Sequence, residues 1–129
     1  MASKGRPYKT VVVEGFEVLI GRGAEENDLL TFEVAAREDF WLHVAGGTPG
    51  SHVVVRNPEK LAALPDAVVE RTAALAAWHS KARGARRVEV HLCRVADVSK
   101  AKGAPAGEVL LRRWQRVRVQ RSETTRFAR

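Results

Sequence analysis

The sequence predicts an α+β fold: a single domain in which a largely antiparallel β-sheet of about six short strands packs with one long alanine-rich helix and one short helix. Short runs of β-branched and aromatic residues alternate with turn residues at hairpin spacing, which predicts the sheet. One longer segment rich in alanine follows the helical period, which predicts the main helix. The length of 129 residues suits one domain.

Four strands are predicted in the first half of the chain, as two strand pairs. They cover residues 8–13, 16–20, 40–44 and 52–56. Glu14 and Gly15 separate the first two runs and predict a hairpin, because glycine accepts the positive φ of tight turns. A glycine-rich loop over residues 46–51 joins the other two, which predicts a second hairpin or a strand pair with a wide loop.

Two helices are predicted. Acidic residues precede a short apolar segment, so we expect a short helix whose first turn is capped by Asn27 or Asp28. Residues 66–83 follow the helical period, and Gly84 is expected to end this main helix in a left-handed conformation. The many alanines imply that a sheet approaches this helix closely. Further strands are predicted over residues 88–95 and over residues 109–119, the latter as one long strand or two short ones.

Positive charge is concentrated in the second part of the chain. The net charge is +7, with 22 basic and 15 acidic side chains. Residues 1–80 carry a net charge of −3, whereas residues 81–129 carry +10. Such asymmetry is typical of a protein that binds a polyanion, above all a nucleic acid, although an arginine-rich solvated surface gives the same composition.

Composition also excludes several classes of protein. The apolar runs are far shorter than the about 18 residues of a membrane-spanning helix, and the first residues lack the apolar stretch of a signal peptide, so we expect a cytoplasmic protein with no membrane partner. Cys93 is the only cysteine, which excludes an internal disulfide and a zinc site built from two or more thiolates of one chain.

The strand over residues 40–44 carries the first candidate site. Alternation on a strand places Asp39, Trp41 and His43 on one face. This face is either half-buried and structural, or a stacking platform for a base or a sugar with His43 as a hydrogen-bonding neighbour.

The loop that contains Gly50, Ser51 and His52 carries the second candidate site. Consecutive amides beside a hydroxyl group can hold a phosphate, although the lysine of a P-loop is missing. If the two strands pair, His52 lies opposite His43, and with Asp39 they would form a metal-binding set of two histidines and one carboxylate.

Two basic segments follow. The loop over residues 98–107 contains Lys100 and Lys102, so it is either a mobile positive finger that reaches backbone phosphates or an ordinary solvated loop. In the last strand, alternation predicts a basic face formed by Arg112, Trp114, Arg116 and Arg118. Arginines beside one aromatic side chain suit single-stranded RNA, and the alternative is an edge strand charged against aggregation.

Taken together and in order, these motifs resemble the NFACT-R domain, the RNA-binding domain near the carboxyl end of the NFACT proteins. The matching segments are Gly21-Arg22, Asn27-Asp28, Asp39-x-Trp41-Leu42-His43, Pro49-Gly50-Ser51-His52, Lys100-x-Lys102-Gly103 and Gly107. The resemblance covers residues 8–119 and leaves an amino-terminal tail over residues 1–7 and a basic carboxyl-terminal tail over residues 120–129. Ala101 and Ala106 depart from the family, which often has proline there.

The resemblance implies a non-catalytic module that binds tRNA or ribosomal RNA, with the ribosome as a further partner, in translation or ribosome-associated quality control. It implies no catalytic residue, no cofactor and no metal. The multidomain members add carboxyl-terminal tails to stalled chains; at 129 residues, this chain is expected to be a stand-alone NFACT-R protein without that activity. The oligomeric state is not predicted.

Two alternatives to RNA binding remain open. One is a protein-interaction adaptor with a basic docking face, and the other is a hydrolase or nuclease that uses Asp39, His43 and His52. For the RNA-binding function, two faces compete, one formed by the motif-bearing strands and one by the basic carboxyl-terminal half. The predicted RNA-binding residues are Arg22, Asn27, Asp28, Trp41, His43, Gly50, Ser51, His52, Lys81, Lys100, Lys102, Arg112, Trp114, Arg116 and Arg118.

Overall fold

A six-stranded antiparallel sheet forms the centre of the computed structural model, which describes Arg6 and residues 8–120. The strands are β1 (Tyr8–Val13), β2 (Phe16–Gly21), β3 (Phe40–Val44), β4 (Val53–Val55), β5 (Arg87–Arg94), β6 (Val98–Ser99), β7 (Leu110–Leu111) and β8 (Gln115–Gln120). The helices are α1 (Ala24–Leu29), which continues into a π-helical turn (Leu30–Val34), α2 (Asp66–Trp78) and a short 3-10 helix (Val95–Asp97). The large sheet has the order β1-β2-β4-β3-β5-β8, while β6 and β7 form a separate pair. The predicted α+β class is confirmed.

Both predicted strand pairs of the first half form. The turn between β1 and β2 has positive φ at Glu14 (50°) and Gly15 (84°), the conformation that a two-residue turn needs to match the twist of the strands. Strands β3 and β4 are antiparallel, with Phe40 opposite Val55 and Leu42 opposite Val53.

Helix α2 covers one face of the sheet. Ala73 and Ala77 are completely buried in the core that this helix shares with β2, β3, β4, β5 and β8. Small side chains at these positions let the helix axis come close to the strands, as the alanine content predicts. The core residues on this face include Val18, Phe40, Leu42, Val53, Val90 and Val119.

The predicted end of the main helix is wrong. Helix α2 ends at Trp78 rather than near Arg83, and Gly84 does not adopt a positive φ. The reason is a contact with the loop over residues 46–51: the Ser51 amide donates to the carbonyl of His79, and the Lys81 amide donates to the carbonyl of Pro49. The chain after Trp78 therefore pairs with this loop instead of continuing the helix.

The second face of the sheet is covered by α1, its π-helical turn and the β6–β7 pair. Leu19, Trp41, Val54 and Cys93 from the sheet pack there with Leu30 from the π-helical turn. The predicted cap of the short helix is wrong, since the helix begins at Ala24 and already contains Asn27 and Asp28. Glu25 and Glu26 lie in its first turn, where acidic groups complement the helix dipole.

The last predicted strand is divided into two, one of the two forms expected. Residues 112–114 interrupt it between β7 and β8. Apart from Arg6 and Gln120, the two predicted tails lie outside the described residues. Within the described part of the chain, no helix is long and apolar enough to cross a membrane.

Candidate functional site

A pocket of about 900 Å³ opens on the second face of the sheet, a size typical of ligand sites. Its lining comes from the segment over residues 22–27, from β3 and β5, from the loop over residues 46–51, from the chain after α2, and from residues 106–111 and Trp114. All four histidines of the sequence line this pocket, together with Trp41 and Trp114.

Five aromatic side chains lie in a row along this pocket. We call this set, which comprises Trp114, His91, His43, His52 and Trp41, the aromatic row. Trp114 lies 5.3 Å from His91 between ring centroids, and His91 is the cross-strand partner of His43. His43 stacks on Trp41 at 5.9 Å, and His52 contacts His43 and Trp41 edge-on at 5.4 Å and 5.0 Å. The row runs from a half-exposed indole, Trp114, to a buried one, Trp41.

Hydrogen bonds fix the buried end of the aromatic row. The Trp41 Nε1–H donates to Thr31 Oγ1 at 3.2 Å, and Thr31 Oγ1 lies 2.8 Å from His52 Nδ1. His52 Nε2 lies 3.1 Å from the carbonyl oxygen of Gly107, which can only accept. His52 therefore carries its proton on Nε2, while its Nδ1 accepts the Thr31 hydroxyl. Both ring nitrogens are engaged within the protein.

Burial keeps the inner histidines neutral. Desolvation, with a contribution from neighbouring His43, lowers the pKa of His52 from 6.5 to about 4. Desolvation also lowers the pKa of His43, although hydrogen bonds to the carbonyls of Val44 and Gly50 oppose the shift. The inner part of the aromatic row is therefore uncharged at neutral pH.

Asn27 ties α1 to the loop that contains Gly50. Its Nδ2 donates to the carbonyl of Gly50 at 3.1 Å, and its Oδ1 accepts the His52 amide at 3.1 Å. A Cβ on Gly21 would lie 1.9 Å from Asn27 Oδ1, so only glycine fits at position 21 beside this side chain. Asn27 is thus a buried connector rather than a helix cap.

The groups expected to hold a phosphate near Ser51 already have partners in the protein. Ser51 Oγ donates to the carbonyl of Gly21 at 2.7 Å, and the Ser51 amide donates to the carbonyl of His79 at 2.9 Å. The His52 amide is bonded to Asn27. These contacts support a structural role for the segment, which shapes the pocket wall.

The expected mobile finger is folded back at Lys100. Its Nζ lies 2.9 Å from Asp28 Oδ2 and donates to the carbonyl of Glu108 at 2.9 Å. Asp28 Oδ1 accepts the amide of Gly107 at 3.1 Å. The loop over residues 100–108 is therefore docked on α1, while the neighbouring Lys102 is exposed.

The predicted basic ladder is not continuous. Arg112 lies outside β8, and its Nε and Nη2 atoms both lie 3.1 Å from Asp97 Oδ1. Arg116 and Arg118 lie on β8, opposite His91 and Glu89 of β5. These two arginines therefore follow the strand that leads away from Trp114, whereas Arg112 is paired beside the smaller sheet.

The structure does not assemble the metal set of Asp39, His43 and His52. The carboxylate of Asp39 is buried, accepts the amides of Ala36 and Asn57 at 2.9 Å and 2.7 Å, and lies 3.0 Å from Arg56 Nε. His52 has no free ring nitrogen. Among the described residues, no group of three histidine, cysteine, aspartate or glutamate side chains is arranged to hold a metal ion.

Cations outnumber anions around the pocket. Among the described residues, Arg22, Lys81 and Arg83 line it, against a single carboxylate, that of Glu108. Arg83 also lies over the ring of Trp78, with its guanidinium carbon 4.4 Å from the ring centroid. A basic rim and an aromatic floor are the features that attract a phosphate backbone and stack its bases.

The pocket unites most of the predicted residues and adds others. Those that line it are Arg22, Asn27, Trp41, His43, Gly50, Ser51, His52, Lys81 and Trp114. Sequence reasoning missed His91 and Arg83. The alternation of residues 88–95 was a usable signal for His91, since it places this ring on the face opposite Val90 and Leu92.

Comparison with known proteins identifies the family. The profile described as the NFACT protein RNA binding domain matches residues 6–113. The "Rqc2 homolog RqcH" of Bacillus subtilis is 37% identical over 112 residues, and its counterpart in Streptococcus suis is 33% identical over 119 residues. These alignments cover 82% and 92% of this chain but only 19% and 21% of the relatives, so the chain spans about a fifth of their length.

A solved structure shows the same fold. It is the carboxyl-terminal part of the fibronectin/fibrinogen-binding protein from Streptococcus suis, which superposes with a TM-score of 0.79 at 32% sequence identity. The match covers 89% of this chain and 45% of the solved one. Because the profile matches most of the chain and the relatives are more than 30% identical to it over the aligned residues, the chain belongs to the NFACT protein RNA binding domain family.

Proposed function

We propose that this chain is a non-catalytic RNA-binding module that acts on tRNA or ribosomal RNA in translation or ribosome-associated quality control. Membership of the NFACT RNA binding domain family supports RNA as the ligand class, and the similarity to the RqcH proteins supports the cellular process. The Asp39 carboxylate and the His52 ring are engaged in structural bonds, so the geometry gives no support to a hydrolase that uses them.

The observation that carries the proposal is the position of Trp114 at a basic pocket. This indole is 47% exposed and lies against His91, while Arg22, Lys81 and Arg83 line the same pocket. Exposed aromatic rings are stabilised by stacking on bases, and arginine and lysine gain free energy by releasing counterions from phosphates. We therefore expect RNA on the second face of the sheet, and not on the face covered by α2.

Salt-dependent RNA binding by matched arginine variants tests this function. Replacing both Arg116 and Arg118 with alanine removes two exposed cations of β8, and each lost phosphate contact should reduce the log–log salt slope by about 0.7 on a single strand. Arg71→Ala is the control, since Arg71 is an exposed arginine of α2, on the opposite face of the sheet, and is paired with Glu14. A double variant with the slope of the control would refute binding at β8.

A nuclease experiment separates RNA binding from the adaptor alternative. The tagged chain should co-sediment with ribosomal particles, and ribonuclease treatment of the bound fraction should release it. An adaptor that docks an acidic protein through its basic face would also be salt-sensitive, but its partner would remain bound after the RNA is digested.

A further inference from the structure

The pocket contains an aromatic surface that contacts with an RNA backbone alone do not require. Phosphate binding needs only exposed cations, yet here five aromatic rings form a row that leads inward from Trp114. The outer rings are accessible, since Trp114 is 47% exposed and the side chain of His91 is 22% exposed. Such a row offers planar contact surface to a planar ligand.

The part of the pocket wall that is formed by the loop over residues 46–51 consists largely of backbone. Gly46 and Gly47 both have positive φ, and a Cβ on either would meet no atom within 4 Å, so their peptide groups border open space. Peptide N–H and C=O groups can form hydrogen bonds with the polar edge of a base. Pro49 and Gly50 are held in place through Lys81 and Asn27, which keeps this wall fixed.

Charge at the pocket suits a nucleotide rather than an uncharged aromatic ligand. In the part of the lining that the structure describes, Arg22, Lys81 and Arg83 supply three cations and Glu108 supplies the one carboxylate. The inner histidines have lowered pKa values and are neutral at pH 7, so they add no charge to the floor of the pocket. The arrangement thus separates an uncharged floor, formed by Trp41, His43 and His52, from a cationic rim.

We propose that this pocket takes one unpaired nucleotide of the bound RNA, whose base stacks on Trp114 and His91 and whose phosphate lies at the rim formed by Arg22, Lys81 and Arg83. This inference rests on the RNA-binding function proposed above. A base inside a duplex is stacked on both sides and cannot present its face to Trp114, whereas a base in a loop, a bulge or a strand end can. The module therefore selects RNA that contains an unpaired nucleotide.

Three RNA hairpins with the same stem, each closed by a loop of abasic ribose-phosphates, test this inference, because such a loop offers no base to the pocket. The first has a fully paired stem, the second has one bulged nucleotide in the stem, and the third has an abasic ribose-phosphate at the bulge. The second and third carry the same number of phosphates and differ only in the base. We expect the bulged hairpin to bind about tenfold more tightly than the abasic one, as stacking on an aromatic side chain predicts.

Two exposed aromatic residues provide a matched pair of variants. Trp114→Ala should abolish the difference between the bulged and abasic hairpins, Trp114→Phe should restore part of it, and Phe32→Ala should leave it unchanged. Phe32 is 41% exposed and does not line the pocket. Melting curves check that each variant is folded.

The outcomes separate the two proposals. If no hairpin binds, RNA binding itself is refuted, and this inference with it. If all three hairpins bind equally well to the unmodified protein, the module contacts only the sugar-phosphate backbone of the RNA, and the nucleotide pocket is refuted. The pocket is also refuted if Trp114→Ala and Phe32→Ala have the same effect. A base-dependent gain that disappears only in Trp114→Ala supports it.

Discussion

The His52 Nε2–H donates a hydrogen bond to the carbonyl oxygen of Gly107, 3.1 Å away and 55 positions further along the chain. The amide of the same Gly107 donates to Asp28 Oδ1 at 3.1 Å. Gly107 is therefore held on both sides, by the residue that precedes β4 and by a residue of α1. Several motif residues of this family thus bond to one another and give the pocket its shape, while Trp114 and the basic rim remain accessible to a ligand.

Stability should depend on pH through His52. The pKa of His52 is about 4 in the folded protein against 6.5 ordinarily, so between these values the unfolded chain binds a proton that the folded protein does not. Its stabilisation is complete above pH 6.5 and is lost as the pH falls towards 4. We expect the free energy of unfolding to fall by about 2 kcal/mol between pH 7.5 and pH 5, measured in urea.

A non-titrating variant serves as the control for this pH dependence. His52→Gln removes the ionisable ring, so its stability should vary less between pH 7.5 and pH 5. The lowered pKa values of His43 and His79 leave a residual slope of the same sign. An identical pH dependence in His52→Gln and the unmodified protein would contradict the prediction.

Asn27→Ala should destabilise the fold because the buried amide side chain forms hydrogen bonds with two backbone groups. Its loss leaves the carbonyl of Gly50 and the amide of His52 without these partners, at a cost of about 1–3 kcal/mol. Gly21→Ala should also destabilise, since the new Cβ would lie 1.9 Å from Asn27 Oδ1. Denaturant unfolding of both variants and of the double variant measures the coupling.

The double variant should lose less free energy than the two single variants together. Removing the Asn27 amide relieves the closest clash of a Cβ on Gly21, and contacting sites are not additive. Strict additivity would mean that Asn27 does not set the requirement for glycine at position 21.

Lys100→Ala should release the loop over residues 100–108 with little loss of global stability. A partly exposed ion pair contributes about 0–1 kcal/mol, so the melting temperature should change little. The amide of Gly107 should exchange with solvent faster, because the loop that presents it to Asp28 is no longer clamped. Lys102→Ala, at the exposed neighbouring lysine, should leave this amide protected. Equal protection of Gly107 in both variants would argue against the clamp.

Ala77→Leu should destabilise the protein through overpacking. Ala77 is completely buried between α2 and the sheet, and three extra carbon atoms there force the helix away or strain the strands, at about 1–3 kcal/mol. Ala67→Leu makes the same change at an exposed position of the same helix and should have little effect on stability. Thermal melts compare the two, and a similar loss in both would indicate that close packing at Ala77 is not responsible.

Local sequence patterns were sufficient for the strands of the large sheet and for most of the main helix, but not for β6, which lies in a segment predicted to be a loop. Alternation and the Glu14-Gly15 turn identify β1 and β2, and alanine spacing identifies α2 as the helix against the sheet. These features depend on residues close together in sequence, where the period of each element appears directly. The concentration of positive charge after residue 80 also follows from the sequence alone.

Contacts between distant residues decided the rest. The hydrogen bond between Ser51 and His79 ends α2 early. The contact between Asp28 and Lys100 docks a loop that was expected to be mobile. Asn27 forms hydrogen bonds with Gly50 and His52 instead of capping a helix. Sequence alone therefore determined the strands of the large sheet, most of the main helix and the part of the chain where cations are abundant. Only the tertiary structure, through the register of β3, β5 and β8 and through hydrogen bonds spanning tens of residues, placed His43, His91 and Trp114 around one pocket.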